Sequence, residues 1–474
     1  MDPRTLIQTL TATFEAAGYQ LYLVGGSVRD YLLGRPSQDL DFATDARPEE
    51  VRRVVRATQP DAIATVGEKF GTIALRYGDL TVEITTFRAE RYQPHSRHPE
   101  VRFGTSLEGD LARRDFTINA LACRGVPTSP EQIIDPFGGL ADLQAQLIRA
   151  VGDPAERFAE DPLRLLRAVR FAAELGFRIE PRTAAAIRRA APALAEIAKE
   201  RIGTEFTKLL VAAHAAHGIR LCVDLGLMAA IVPELLEMLQ MPPLKGYKDV
   251  FRHTLLVVER IGREPLLRWA ALLHDIAKPR TIGWEHGQVH FRGHERVGEQ
   301  MAREILRRLH FESHFIDAVA QIVRLHVRAN SYSPDWTDSA LRRFVREAGP
   351  VLPALLALCR ADVTSARPAR VEAAQARAAE LEARIQDLLA REDVAKLDSP
   401  LDGHELMALF GRGPGRWIGE VKRYLLELVL DGELAPDDKE RAAELARAFL
   451  AEREASPPPD GATAEESRHV GSAP

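Results

Sequence analysis

The sequence has few cysteines and no long apolar run. Cys123, Cys222 and Cys359 are widely separated along the chain and form no CxxC pair. They are therefore predicted to be reduced thiols, not a disulfide framework or a cysteine-based metal site. No apolar run reaches the roughly 18 residues that a bilayer-spanning helix requires. The N-terminal segment contains acidic residues and no apolar core with a cleavage site, so no signal peptide is predicted and a cytoplasmic location is expected.

The chain also lacks an excess of positive charge, since its formal net charge is −5. Phosphate binding depends on local basic patches, so this balance does not exclude a nucleic-acid partner. The hydrophobic content of 46% is that of a globular protein, and 474 residues are more than one core usually supports. Several domains are therefore predicted. Nothing in the sequence indicates a membrane or a stable protein partner.

Two different patterns divide the chain. The first part mixes strands and helices, and residues 71–77 and 80–87 alternate as two strands of a hairpin joined by Gly78-Asp79. From about residue 140 onward, apolar residues recur at helical spacing almost throughout. The predicted fold class is α+β, with a small, mostly antiparallel head followed by an elongated all-α neck, body and tail.

The predicted domain boundaries follow this division. The C-terminal segment is rich in Pro, Ser, Gly and Glu, which is typical of disorder. The predicted domains are a head at 1–145, a helical neck at 146–215, a helical body at 216–370, a helical tail at 371–452 and a disordered segment at 453–474.

A glycine turn and two aspartates lie close together at 24–41. Residues i and i+2 of a strand face the same way, so Asp39 and Asp41 would present two carboxylates on one face. Mg²⁺ takes one or two carboxylates together with substrate phosphates. Gly25 and Gly26 allow a close backbone approach and can turn amide donors toward a triphosphate. The pattern favours metal-assisted nucleotidyl transfer, and the alternative is a turn beside a solvated strand edge.

Three further segments carry charged residues into apolar runs: RRDFTINALA (113–122), DPFGGLADL (135–143) and EDPLRLLRAVRFAAELGF (160–177). Each taken alone is also an ordinary helix start or turn. With the glycine and aspartate segment, however, they resemble the class II tRNA nucleotidyltransferases, which comprise the CCA-adding enzymes and their bacterial poly(A) polymerase relatives. The resemblance covers roughly residues 20–245 in the expected order.

The resemblance implies a reaction and a set of site residues. Asp39 and Asp41 would bind catalytic Mg²⁺, and Glu83 would complete the acidic cluster. The reaction would be in-line, two-metal transfer from CTP or ATP to the 3′ end of tRNA, without a covalent enzyme intermediate. The implied nucleotide-binding residues are Gly25, Gly26, Arg29, Arg113, Arg114, Asp115, Asn119, Glu160, Asp161, Arg164, Arg167 and Arg170.

The selection of C and A can be argued from hydrogen-bond chemistry. Residues three apart on a helix are neighbours, so Asp161 and Arg164 are expected to form a pair that offers acceptors and donors. Cytosine and adenine present an amino donor beside a ring-nitrogen acceptor, whereas uracil and guanine present a carbonyl beside a ring N–H. The wrong base would leave buried groups unpaired, which can cost several orders of magnitude in specificity.

The helical body contains a second group of potential metal ligands. A His-Asp pair follows an upstream histidine and precedes a distant aspartate, and this order resembles the HD superfamily. Imidazoles and carboxylates suit a transition metal, Mn²⁺ or Mg²⁺, and the resemblance implies phosphohydrolase activity. The alternative for any one of these histidines is an ordinary core residue. The predicted ligands are His253, His274, Asp275 and Asp362, with His294 and His326 as further candidates.

Two segments bear on substrate choice. Residues 87–103 have the length of the flexible loop of complete CCA-adding relatives, although His95 replaces the usual loop aspartate while Arg97 is retained. Loop length favours complete CCA addition, with A-only addition, CC-only addition and poly(A) synthesis as alternatives. Residues 402–434 resemble the tail that contacts tRNA, or else form a simple helical packing module. An alternative from another class is an HD phosphohydrolase whose head binds RNA.

Overall fold

The computed structural model divides into two compact units. The first comprises Met1–His326 and Ala361–Thr364, and the second Val327–Arg360 and Ser365–Pro474. Among the described helices, none combines the length and the apolar character that crossing a membrane requires. The described residues are 2–35, 38–64, 71–91, 100–103, 106–243, 249–286, 288–363 and 368–455.

The described residues of the head form a main sheet, a separate pair of strands and five helices. Its strands are β1 (Leu21–Val24), β2 (Asp39–Thr44), β3 (Ala62–Ala64), β4 (Thr72–Tyr77), β5 (Leu80–Thr86), β6 (Arg88–Arg91), β7 (Glu100–Phe103), β8 (Ala122–Cys123) and β9 (Ile133–Ile134). Its helices are α1 (Pro3–Ala16), α2 (Gly26–Leu32), α3 (Pro48–Val55), α4 (Leu107–Ala112) and α5 (Gly139–Gln144).

Within the described residues, seven strands form the main sheet in the order β3-β4-β5-β2-β1-β8-β9, and β6 pairs with β7 separately. The pair β2/β5 is parallel and the other neighbours in the main sheet are antiparallel. The predicted hairpin is present as β4 and β5. The mixed, mostly antiparallel sheet with helices confirms the predicted fold class for the head.

Helix α1 covers one side of the head. Asp2 accepts a hydrogen bond from the Thr5 amide, and Pro3 occupies the first turn, where its missing N–H costs nothing. Apolar residues at helical spacing, such as Leu6, Leu10 and Phe14, are fully buried against the sheet. The opposite face of β2, where Asp39 and Asp41 alternate with buried residues, is left exposed.

The rest of the first unit is helical apart from short strand pairs. The strands are β10 (Leu147–Ile148), β11 (Arg178–Ile179), β12 (Gly283–Glu285) and β13 (Gln288–His290). The helices are α6 (Pro154–Glu160), α7 (Leu163–Leu175), α8 (Pro181–Ala190), α9 (Lys199–Leu210), α10 (Ala215–Asp224), α11 (Met228–Ile231), α12 (Glu234–Leu239), α13 (Val250–Arg260), α14 (Pro265–Leu273), α15 (His294–Arg308) and α16 (Ser313–Asn330), the last of which crosses the boundary between the units. Over both units, short 3₁₀ segments lie at Arg56–Thr58, Thr117–Asn119, Pro130–Gln132, Ala191–Glu196, Lys278–Arg280, Gly349–Val351 and Val394–Lys396.

Residues 160–177 do not form one continuous helix. Helix α6 ends at Glu160 and α7 begins at Leu163. The cause is Pro162, because a proline disfavours the helical region for the residue before it. Asp161 accordingly has extended backbone angles, with φ −145° and ψ 101°. The break places Asp161 in a linker between two helices.

The second unit has its own hydrophobic core. Its helices are α17 (Asp338–Ala348), α18 (Leu352–Ala361), α19 (Pro368–Arg391), α20 (Gly403–Phe410), α21 (Arg416–Asp431) and α22 (Lys439–Ala455). The predicted boundary at residue 370 does not coincide with the compact division, because residues 327–360 group with the C-terminal helices. Helix α22 continues to Ala455, three residues beyond the predicted end of the tail, and the rest of the segment predicted to be disordered lies outside the described residues.

Candidate active site

A cleft of about 430 Å³ opens in the first unit between the head sheet and α7. Most of its lining residues belong to the predicted nucleotide-binding set. The lining residues are Gly26, Arg29, Asp41, Arg88, Arg113, Arg114, Asp115, Asn119, Asp161, Leu163, Arg164, Arg167, Phe171 and Arg201. The predicted residues outside this lining are Gly25, Asp39, Glu83, Glu160 and Arg170.

The three predicted catalytic carboxylates share the exposed face of β2 and β5. Asp39 and Asp41 alternate with the buried Leu40, as the strand pattern predicts. Asp41 lies opposite Glu83 in the parallel register. Ser27 is a buried residue of α2 that was not singled out from sequence, and it connects α2 to β2. Its hydroxyl donates to the Asp39 carbonyl at 3.3 Å and accepts from the Asp41 amide at 2.8 Å.

Asp41 is the electrostatically distinctive member of this group. Its side chain opens to the cleft, yet surrounding protein atoms displace enough water that desolvation raises its pKa to about 6. Arg114 opposes this rise, while Glu83 and Asp39 add to it by like-charge repulsion. A divalent cation would relieve both the desolvation and the repulsion. Oxygen donors on this face fit the ligand preference of Mg²⁺.

The glycine turn is required by a close contact. Gly25 has φ +68°, and a Cβ there would come within 2.4 Å of an Arg114 guanidinium nitrogen. Its amide donates to the Leu121 carbonyl at 2.9 Å. The turn therefore brings the backbone of Gly25 and Gly26 directly against an arginine of the cleft. No side chain could occupy the Gly25 position without moving that arginine.

A chain of hydrogen bonds connects α2 to α7 across the cleft. Arg29 Nη1 donates to Asn119 Oδ1 at 2.7 Å, and Asn119 Nδ2 donates to Asp115 Oδ1 at 3.0 Å. Asp115 Oδ2 then accepts from Arg167 Nε at 2.8 Å. Burial works to raise the Asp115 pKa, but Arg167, the hydrogen bond from Asn119 and the charge of Arg164 together hold the pKa below its usual value. Four predicted nucleotide-binding residues thus form one connected network.

Phe171 lies under the arginines of this network. The guanidinium carbons of Arg29 and Arg167 lie 5.0 and 5.4 Å from its ring centroid. Arg113 and Arg114 are held from another side by Asp110, which is buried and was not predicted from sequence. Cation–π contacts and ion pairs therefore hold these arginine side chains in place.

The predicted pairing of Asp161 with Arg164 is wrong in this structure. Arg164 Nη1 donates to Glu160 Oε2 at 2.6 Å, and its Nη2 donates to the Arg113 carbonyl at 3.1 Å. Asp161 Oδ2 accepts from Arg201 Nη2 at 3.1 Å instead. The break at Pro162 removes the helical spacing on which the predicted pairing depended. Both side chains nevertheless line the same cleft.

Arg170 does not line the cleft, although it is predicted to bind nucleotide. Its Nε donates to the buried carboxylate of Glu205, and its Nη1 lies 2.5 Å from Glu174 Oε2. The guanidinium carbon lies 3.8 Å from the Phe171 ring centroid, on which it stacks. Arg170 is 9% exposed. Its contacts are those of a residue that supports Phe171 rather than one that meets the ligand.

A second cluster lies in the helical body. It consists of two groups of three side chains that could bind a metal. Within each group, the potential ligand atoms all lie within 4.8 Å of one another. Among the described residues, groups of three with this spacing occur here and not among the carboxylates of β2 and β5. The groups are His253, His274 and Asp362, and Asp275, His294 and His326. All six predicted HD residues are thereby brought together.

Asp275 connects the two groups. Its Oδ2 lies 3.2 Å from His274 Nε2 and 3.4 Å from His253 Nε2. Its Oδ1 lies 3.5 Å from His294 Nε2 and 3.8 Å from His326 Nε2. Each oxygen of one carboxylate thus faces a different pair of imidazoles. This arrangement suits a carboxylate that bridges two cations.

The histidine rings are oriented by backbone carbonyls. The Nδ1 atoms of His274, His294 and His326 lie 2.8, 2.7 and 2.6 Å from the carbonyl oxygens of Ala271, Phe291 and Val323. An Nδ1–H that donates to a carbonyl leaves Nε2 unprotonated and facing the cluster, which is the form that binds a metal.

The charge state of the cluster also suits cations. Burial lowers the pKa of His253 and His326, which favours neutral imidazoles. Desolvation acts to raise the Asp362 pKa, but the hydrogen bond from His253 and the nearby His274 lower it to about 2. Lys278 Nζ lies 2.7 Å from Asp275 Oδ2. Burial acts to lower the His274 pKa, but the adjacent Asp275 carboxylate raises it above its usual value, so a cation at that imidazole would displace its proton. Neutral His253 and His326 with ionised carboxylates suit a borderline or hard divalent cation.

Family models match three parts of the chain. Residues 21–149 match the poly A polymerase head domain. Residues 176–239 match the region described as the probable RNA and SrmB-binding site of polymerase A, and residues 250–367 match the HD domain. The cleft and the histidine cluster therefore lie largely within separate matched regions.

Similar proteins match almost the whole chain. A CCA-adding enzyme of Anoxybacillus flavithermus is 34% identical over 441 residues, covering 92% of this chain and 94% of the relative. An A-adding tRNA nucleotidyltransferase of Deinococcus radiodurans is 35% identical over 436 residues, covering 89% and 94%. The crystal structure of the Bacillus stearothermophilus CCA-adding enzyme in complex with CTP has a TM-score of 0.69 at 29% identity, covering 96% of this chain and 100% of that one.

Proposed function

This chain belongs to the tRNA nucleotidyltransferase family that includes the CCA-adding enzymes, and from that premise we propose that it adds C, C and A to the 3′ end of tRNA from CTP and ATP. The observation that carries the proposal is the single cleft in which Asp41, the arginine network and the linker residue Asp161 converge. A volume of about 430 Å³ is in the range of small-molecule sites.

The carboxylates of Asp39, Asp41 and Glu83 on the exposed face of β2 and β5 would perform the transfer. Asp39 and Asp41 would hold Mg²⁺, with Glu83 adding negative charge beside them. The bound cations would supply electrostatic stabilisation of the attacking and leaving oxygens. Ser27 fixes the backbone of both aspartates, so their carboxylates need little reorganisation when the nucleotide arrives.

The arginines and the linker would bind and select the nucleotide. Arg29, Arg114 and Arg167 line the cleft near the glycine turn and would contact the phosphates and the ribose. Asp161 and Arg164 line the other part and would meet the base edge, Asp161 as acceptor and Arg164 as donor. Because Arg164 is engaged by Glu160 and a backbone carbonyl, base binding would exchange one of those hydrogen bonds.

The proposal is tested by incorporation. Purified protein is given tRNA without its CCA end, Mg²⁺, and CTP, ATP, UTP or GTP, singly and in combination. Addition of C, C and then A, with UTP and GTP rejected, is expected. Long A tails with ATP alone would instead identify a poly(A) polymerase.

A second function is favoured by the bridging position of Asp275. We propose that the six-residue histidine and aspartate cluster binds two divalent cations and hydrolyses phosphate esters. Its imidazole-rich ligand set favours a transition metal or Mn²⁺ over Mg²⁺ alone. The bound cations would polarise a phosphoryl oxygen and activate water.

The test uses metal-free protein reloaded with Mn²⁺, Ni²⁺, Zn²⁺ or Mg²⁺. Metal content is measured by elemental analysis, and hydrolysis is measured with a 2′,3′-cyclic nucleotide and with p-nitrophenyl phosphate. Two bound ions per chain with hydrolysis of one substrate are expected. Protein that binds no ion at micromolar metal concentrations would contradict the proposal.

A further inference from the structure

We propose that Arg201 is a positioning residue for base selection, which acts by holding the carboxylate of Asp161 in the orientation that accepts a hydrogen bond from the amino group of cytosine or adenine. This inference rests on the proposed function, since it requires that Asp161 meet the base edge. Arg201 belongs to none of the sequence motifs described above. Its importance comes from its position in the folded chain.

The backbone alone fixes Asp161 poorly. The residue lies in the two-residue linker between α6 and α7, with extended backbone angles imposed by Pro162. No helical hydrogen bond therefore defines the direction of its side chain. Instead, Oδ1 accepts from the Leu163 amide at 3.1 Å and Oδ2 accepts from Arg201 at 3.1 Å. Two contacts, one on each oxygen, define the plane of the carboxylate.

Of these two contacts, the one from Arg201 is the one a side-chain substitution can remove. Arg201 belongs to α9, a helix distant in sequence from the linker, and it lines the same cleft as Asp161. Its side chain is 53% exposed and that of Asp161 is 27% exposed. An ion pair this accessible contributes little to folding stability. Its effect is therefore expected on orientation and not on stability.

The carboxylate retains the capacity to bind a base while it is held. Two oxygens offer about four acceptor sites, and Leu163 and Arg201 use one each. The remaining sites can accept an amino hydrogen. They cannot pair with the carbonyl oxygen that uracil or guanine would present in the same place. A fixed carboxylate thus favours C and A and opposes U and G, whereas a rotating one loses part of that difference.

The other half of the selecting pair is held in the same way. Glu160 Oε2 accepts from Arg164, while Glu160 Oε1 lies 2.8 Å from Arg157 Nη2. Each selecting side chain therefore has a partner of opposite charge, Glu160 for Arg164 and Arg201 for Asp161. Glu160 orients the donor, and Arg201 orients the acceptor.

The experiment compares Arg201→Ala, Arg201→Lys and the parent protein in single-nucleotide incorporation with CTP and UTP. The Ala variant is expected to lose about two- to fivefold in kcat/KM for CTP with little change for UTP, so the ratio of the two falls by that factor, because an exposed ion pair can bias the orientation of Asp161 by no more than its own small interaction energy. The Lys variant is expected to restore part of the ratio. Arg188→Ala, at an exposed arginine of α8 that does not line the cleft, serves as the matched control and should leave the ratio unchanged.

The outcomes separate this inference from the proposed function. An equal fall for CTP and UTP would overturn it, because that result describes a phosphate contact or general damage. An unchanged ratio in Arg201→Ala, with a collapsed ratio in Arg164→Ala, would also overturn it while leaving the proposed function intact. An unchanged ratio in Arg164→Ala as well would contradict the proposed base selection itself.

Discussion

Asp41 of β2 lies directly opposite Glu83 of β5, in the parallel strand pair of the head sheet. Opposed residues of paired strands point to the same face, so two carboxylates from different strands meet beside the cleft. Like charges placed together are unfavourable without a cation, and their repulsion adds to the desolvation that raises the Asp41 pKa to about 6. This relationship makes Asp41 the residue through which the metal hypothesis is tested most directly.

Asp41→Asn is expected to reduce nucleotide incorporation by about 10³-fold or more, since the metal-bound group supplies several kcal/mol of transition-state stabilisation. Folding should be unaffected, because the side chain is exposed to the cleft. Rates are measured with saturating CTP, and folding is followed by thermal unfolding. Asp79→Asn, at the exposed turn between β4 and β5, is the matched control and should keep full activity. Substantial incorporation by purified Asp41→Asn would rule out its role as a metal ligand.

Arg164→Ala should weaken the choice between CTP and UTP more than it weakens tRNA binding. The expected loss in the ratio of kcat/KM values is about 10- to 100-fold, since a buried hydrogen-bond donor to the base edge is removed. Incorporation kinetics and a tRNA gel-shift titration are measured on the same preparation. Glu160→Gln, which releases Arg164 from its ion pair at 2.6 Å, should lower the ratio less. A fall in tRNA affinity with the ratio intact would identify Arg164 as a phosphate contact.

Asp115→Asn is expected to destabilise the protein at pH 7 by about 1–3 kcal/mol, because Arg167 loses an ionised partner. The Asp115 pKa is lowered in the folded state, so its ionised form contributes stability above the unfolded pKa of about 4. That contribution is lost as the pH falls through the lower, folded pKa. The difference in unfolding free energy between variant and parent should therefore shrink below about pH 4. A constant difference from pH 7 to pH 3 would contradict the linkage.

The sequence predicted residue types and periodicities better than it predicted pairings. Asp39 and Asp41 alternate with Leu40 on a strand, as the period of two requires, and the hairpin of β4 and β5 follows from the same rule. The six residues of the histidine cluster were found because their order along the chain matches a known pattern. These features depend on local spacing or on order, which a single sequence contains.

The errors have local and non-local causes. The pair of Asp161 with Arg164 failed because Pro162 breaks the helix, a signal present in the sequence but outweighed by the helical pattern around it. Arg201 is not identified from sequence because its partner Asp161 lies 40 residues away along the chain. Asp110 is close in sequence to Arg113 and Arg114, but its burial beside them is visible only in the folded chain. Arg170 is among the nucleotide-binding residues that the family resemblance implies. Its direction toward Glu205 depends on the packing of α7 against α9.

His274→Ala with Asp275→Asn should abolish metal-dependent phosphate-ester hydrolysis and leave nucleotide addition unchanged. The reason is that Asp275 lies between both imidazole groups, so its loss removes the bridge. Because both residues are fully buried, folding must be checked by thermal unfolding in the absence of metal. Leu239→Ala, at an exposed leucine of α12 in the same body, is the control. A folded double variant that loses nucleotide addition as well would mean that the cluster supports the head structurally.

The last prediction concerns how many nucleotides are added. The loop at 87–103 has the length expected of a complete CCA-adding enzyme, but His95 stands at the usual aspartate position, and residues 92–99 lie outside the described part of the chain. Both a CCA-adding and an A-adding enzyme resemble this chain over nearly its full length, so similarity does not decide between them.

We expect loop length to outweigh the substitution, so that tRNA ending at the discriminator base receives two C residues from CTP alone and the terminal A after ATP is added. His95→Asp, which returns the aspartate that is usual in the family's loop, should then raise the rate of A addition without altering C addition. Product lengths on a sequencing gel give both answers. Failure to add two C residues, with rapid A addition to tRNA ending in CC, would identify an A-adding enzyme that depends on a separate CC-adding partner.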